Sequence, residues 1–163
     1  MKKRMAIFLI FICVFGLAGC TEQSSEEQEN VFGVYSFCGA NEHFEVSNGV
    51  IVLDTEEIFY GGDLDIFYDE QFSNIASFTT TFYTIRNGEK RVIISNAVVD
   101  ETGGSVNMEG DLGKASGDGF VIGNKIDEID ELKNNLWFEL KIVDTNGQEN
   151  IYQLQLIVTE ITG

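Results

Sequence analysis

The feature that most constrains the fold lies near the end of the chain. Leu136, Phe138, Leu140 and Ile142 alternate with Trp137, Glu139 and Lys141, and Tyr152, Leu154, Leu156 and Val158 then alternate with Gln153, Gln155 and Ile157. A period of two puts each apolar set on one face of an extended strand, so these segments predict a hairpin with one buried face. Its register follows from the same residues. A two-residue Asn146-Gly147 turn would set Leu140 against Gln153 and Phe138 against Gln155, apolar against polar. A three-residue loop, Thr145-Asn146-Gly147 with the glycine left-handed, sets Leu140 against Tyr152 and Phe138 against Leu154, and that is the predicted loop.

Short apolar and aromatic runs rich in Val, Ile, Thr and Phe, separated by Gly, Asn and Asp, continue this chemistry from Val31 onward. They predict strands at 31–37, 42–46, 49–53, 64–68, 75–86, 90–99, 105–109, 119–122, 136–143 and 150–159. In the 75–99 hairpin a tight Asn87-Gly88 turn sets Arg86 opposite Glu89. Phe78, Phe82, Ile93, Ala97 and Val99 then share one face, and Tyr83, Ile85, Val92, Ile94 and Val98 the other. Apolar residues on both faces mark central strands. Ile126, Ile129 and Leu132 recur every third residue between Asn124 and Asn135, with acids early and Lys133 late, which predicts a short helical crossover near 125–134. The expected fold is therefore an all-β, antiparallel β-sandwich with that one helix, and its architecture resembles an immunoglobulin-like sandwich over nearly all of 31–163. The Cys, Trp, Cys spacing of antibody domains is missing. About 133 residues can bury one core without a disulfide. Cys38, alone in the folded part, reads as a small buried apolar side chain.

The start of the chain has a different logic. After Lys2, Lys3 and Arg4, fifteen uncharged residues from Met5 to Gly19 end at Cys20. As a helix they would reach roughly 22 Å at ~1.5 Å per residue, short of the ~30 Å hydrocarbon core. This is the pattern of a secretory signal, not of a permanent span. Its exit, Leu17-Ala18-Gly19-Cys20, resembles the processing box of bacterial lipoproteins. The resemblance implies removal of residues 1–19, a thioether-linked diacylglycerol and an N-acyl lipid on Cys20 (a palmitate-type anchor), and residence on the extracytoplasmic face of the cell membrane. Residues 20–30 then form an acylated, acidic tether without apolar side chains after Cys20, with a reach on the order of 17 Å. Two acyl chains suffice for stable anchoring.

Loss of the leader removes three of the 10 basic residues and none of the 27 acidic ones, leaving a formal net charge of −20. Such a surface disfavours nucleic acid, whose binders need a basic face, and leaves the lipid on Cys20 as the evident link to the bilayer. His43 is the only histidine and reads as a surface residue sharing a strand face with Glu45. No CxxC, HExxH or phosphate-binding glycine loop occurs. From Met5 to Ile85 the chain has thirteen acids and no Lys or Arg. Within this stretch Asp63, Asp65, Asp69 and Glu70 are hard oxygen donors of the kind Ca²⁺ takes, although the spacing is not that of an EF-hand. The expected role is a non-catalytic binding module at the bacterial cell surface, with no cofactor beyond the lipid and a cationic protein or cell-wall component as partner. A Ca²⁺-dependent module is one alternative. A cell-envelope hydrolase using two carboxylates is another, and would need them facing one cleft about 5–10 Å apart.

Overall fold

A computed structural model describes residues 33–67, 72–103, 105–119, 121 and 129–161. Eleven strands and one helix follow in the order β1 (Gly33–Ala40), β2 (Phe44–Leu53), β3 (Glu57–Tyr60), β4 (Asp63–Ile66), β5 (Ile75–Arg86), β6 (Glu89–Val99), β7 (Gly110–Asp111), β8 (Lys114–Gly117), α1 (Ile129–Asn135), β9 (Leu136–Asp144), β10 (Glu149–Gln155) and β11 (Ile157–Glu160). The first sheet runs β11-β1-β2-β3-β8, with β4 also on β2 and β7 on β4; the second runs β10-β9-β5-β6. Every pairing is antiparallel. The two sheets pack face to face as the expected β-sandwich.

The core lies between them and is built on phenylalanine. Phe37, Phe44 and Phe59 come from the first sheet and Phe82 and Phe138 from the second, and all five are almost fully buried. Ring centroids stand 5.2 Å apart for Phe37–Phe59, 5.0 Å for Phe59–Phe82, 5.0 Å for Phe82–Phe138 and 5.7 Å for Phe44–Phe138. Aromatic pairs in such edge-on and offset geometries contribute about 0.5–1.5 kcal/mol beyond their buried area. This chain of rings crosses from one sheet to the other and replaces the staple that a lone cysteine cannot supply.

The last hairpin has the predicted register, with Tyr152 opposite Leu140 and Leu154 opposite Phe138. Gly147 is left-handed at φ +83°. Arg86 also faces Glu89 across an Asn87-Gly88 turn with φ of +52° and +80°. Beyond that turn the expected faces are overturned. Ile93 is an extra residue between the pairs Tyr83–Val92 and Phe82–Ile94, and such a bulge transposes everything after it to the opposite face. Phe78 and Phe82 therefore share their face with Ile94, Asn96 and Val98. Nor is β6 central: among the described residues it pairs only with β5, at the end of its sheet.

Other boundaries differ for readable reasons. The segments 42–46 and 49–53 form one bent strand, β2. The segment 150–159 breaks at Leu156, where the chain passes from the second sheet to the first. No strand forms at 105–109, where Met108 is buried from irregular backbone. Gly119 lies in a turn, and 120 and 122 fall outside the described residues. Strands β3, β7 and β8 escaped the sequence reading because they are short. The helix is described over Ile129–Asn135, with Leu132 buried beneath it; 125–128 fall outside.

Candidate functional site

The outer face of the first sheet is built around the bend in β2. Ser47 and Asn48 lie opposite the single Cys38, since Phe37 pairs with Gly49 and Gly39 with Val46, and Asn48 takes φ +56°. On one side of this bulge β2 pairs with β4, on the other with β3. Gly61 and Gly62 join those strands at the bend. A Cβ on Gly62 would stand 2.0 Å from the Ser47 carbonyl oxygen, so the backbones can meet here only through glycine. Gly61-Gly62, directly before Asp63, is thus a bend within the sheet.

This bend divides the outer face into two chemistries. On one side the pairings line up Val34, Val52 and Ile58 across β1, β2 and β3, and the Ile161 amide donates to the Val34 carbonyl. Val50 and Tyr60 pair in the next row. All are half-buried by their neighbours alone, and Ile157 and Ile161 at the β11 edge are exposed. On the other side lie carboxylates: Glu45 pairs with Asp65, and Asp63 sits between Ser47 and Asp111. Asn48 Nδ2 donates to Asp63 Oδ2 at 3.0 Å, and the Gly113 amide to Asp111 Oδ1 at 2.6 Å. Tyr60 joins the two blocks. The charge of Asp111 foremost, then burial, then Asp63 and a hydrogen bond to Asp111, hold its phenol above the usual value.

Of the four candidate cation ligands, Asp63 and Asp65 therefore share one face of β4, while Asp69 and Glu70 lie outside the described residues, as does Cys20. Among the described residues no three His, Cys, Asp or Glu side chains converge as a metal-holding group.

Three further expectations are corrected or extended. Cys38 is exposed, because its alternate position in β1 points away from the core that Tyr35 and Phe37 enter. His43 is not a surface strand residue. It sits in the turn before β2, whose Asn41 side chain accepts the His43 and Phe44 amides at 2.8 and 3.0 Å. Its side chain, 18 % exposed, lies 3.4 Å from Glu42 and packs against Tyr152 and Phe72 at ring distances of 5.1 and 5.9 Å. Glu57, one acid among many in the sequence, is buried and accepts the Val121 amide at 2.6 Å. Its place directly before the apolar Ile58-Phe59-Tyr60 run was the available signal.

The outer face of the second sheet is different in kind. Tyr83 stacks beside Trp137, and Lys90 lies 4.1 Å from the Tyr83 ring centroid while bonding Glu139 at 2.9 Å. Gln153 also donates to Glu139 at 2.9 Å. Its central charges are thus mutually satisfied, whereas among the described residues the ion pairs with Lys or Arg include none of Glu45, Asp63, Asp65 and Asp111. The chain matches no protein-family model, no curated protein and no solved structure.

Proposed function

We propose that the chain is a bacterial lipoprotein whose sandwich serves as a non-catalytic binding module, held outside the cytoplasm by acyl chains on Cys20. The observation that carries this reading is the leader itself, basic, then apolar, then closed by Leu17-Ala18-Gly19-Cys20. The outer face of the first sheet supplies the partner's chemistry. A row of valines and isoleucines abutting Glu45, Asp63, Asp65 and Asp111 suits a protein or cell-wall surface that is apolar at its centre and cationic at its rim. Apolar contact would provide the affinity, and the acids would steer encounter and orient docking.

Capture of partners on intact cells at low and at physiological salt tests the module. The reading expects a partner that is lost with Val52→Lys on the outer face of the first sheet and kept with Gln153→Lys on that of the second. A partner indifferent to Val52→Lys, or none at either salt, removes the proposal.

A further inference from the structure

Three asparagines stand directly before a glycine: Asn48-Gly49, Asn87-Gly88 and Asn146-Gly147. Such a pair carries a latent reaction. When the glycine amide gives its proton to solvent, its nitrogen can attack the asparagine Cγ; the N–Cγ bond of a succinimide forms, the Cγ–Nδ2 bond breaks, and ammonia leaves. Water then opens the ring at one carbonyl or the other. The product is aspartate, or isoaspartate, whose backbone runs through the former side chain and is one methylene longer. Glycine favours the attack because no Cβ obstructs it. By sequence the three pairs are equivalent, and in the fold they are not.

At the first pair both reacting groups are held. Asn48 Nδ2 donates to Asp63 Oδ2 at 3.0 Å and to Ser47 Oγ at 3.4 Å, and Gly49 is buried beneath the Phe37 ring. The third pair is exposed but tied to Asp144. Asn146 Nδ2 donates to Asp144 Oδ2 at 3.2 Å and the Asn146 amide to Oδ1 at 2.8 Å, while the Gly147 amide, the attacking group, donates to the Asp144 carbonyl at 3.0 Å. The second pair has no such ties. Asn87 and Gly88 are both exposed, no atom would lie within 4 Å of a Cβ on Gly88, and among the described residues no hydrogen bond engages the Asn87 side chain or the Gly88 amide. We infer that Asn87 is a site of spontaneous deamidation in the folded chain, and that Asn48 and Asn146 are protected by their hydrogen bonds. The place has a consequence. Asn87 and Gly88 alone, at φ +52° and +80°, close the Arg86–Glu89 pair of β5 and β6, and a turn of this type has no room for a longer backbone. Isoaspartate there unpicks the closed end of that hairpin, and either product adds a negative charge. The inference depends on neither the anchor nor the outer-face partner, since it uses only the chemistry of the turns.

The full chain, purified from the bacteria that express it and aged in mildly alkaline buffer with and without urea, tests this. Peptide mass spectrometry follows conversion of amide to acid at each asparagine. In the folded chain Asn87 is expected to convert roughly ten-fold or more faster than Asn48 and Asn146, because those two must first break the hydrogen bonds that hold them. In urea the three rates should fall close together. Asp144→Ala supplies a second reading: it should speed Asn146 in the folded chain and leave Asn87 unchanged. Three results would overturn the inference. They are an Asn87 that stays intact in the folded chain while reacting in urea, an Asn48 or Asn146 that keeps pace with it in the folded wild type, and an unequal order that persists undiminished in urea. The wild-type comparison decides by itself if Asp144→Ala does not fold; if it folds, an Asn146 as slow as before contradicts the protection assigned to Asp144.

Discussion

Gly49 shows how a single missing side chain lets two strands close over the core. Its backbone lies beneath the Phe37 ring, and a Cβ there would stand 2.1 Å from the nearest ring carbon. Phe37 cannot swing aside freely, because it stacks on Phe59 and meets Phe82 at 5.7 Å. Gly49→Ala should therefore destabilise the fold by roughly 1–3 kcal/mol, the usual cost of overpacking. Adding Phe37→Leu should recover part of that loss, since residues in contact couple. Urea unfolding followed by Trp137, the only tryptophan, measures both; equal and additive costs would contradict the account. Glu57 is the complementary case. Glu57→Ala leaves the buried Val121 amide without its 2.6 Å acceptor, a loss of about 1–3 kcal/mol read in the same experiment.

At the scale of elements, the β9–β10 loop sets the register of half a sheet. Asp144 organises it by accepting the amides of Gln148 at 2.7 Å and Asn146 at 2.8 Å. The Gln148 hydrogen bond foremost holds this carboxyl below its usual 3.8. The folded-state value is thus the lower one, so the contribution is complete above the unfolded value and is lost as pH falls through the folded one. Asp144→Ala should lower stability at neutral pH and flatten its decline in acid below about pH 4, as measured by thermal unfolding across pH. Deleting Thr145 is the sharper test. A two-residue loop would drive Leu140 against Gln153, and amide exchange should show β10 losing protection while β5–β6 keeps theirs. This loop was legible in the sequence because only one register kept apolar residues opposite one another. The β6 bulge was not, because Ile93 and Ile94 are equally apolar and both pack at the core's edge, so no mismatch betrayed the extra residue. On the outer face, the acids were visible as a charge pattern. Their junction with Val34, Val52 and Ile58 was not, since it arises from pairing among three strands and from the bend at Gly61-Gly62.

At the scale of the molecule, the fold needs no disulfide because five phenylalanines link its sheets, and a strongly acidic body with an apolar outer face needs a reason to remain near a membrane. The proposed lipid on Cys20 would supply that reason: at about 0.8 kcal/mol per buried CH₂, two acyl chains would be a stable hold against a net charge that repels anionic headgroups. Mass spectrometry of the N-terminal peptide, taken from protein extracted from bacterial membranes, tests this most directly. The account predicts a mature chain beginning at Cys20, with a diacylglyceryl thioether on its sulfur. An unmodified Cys20, or a chain that still begins at Met1, would contradict it.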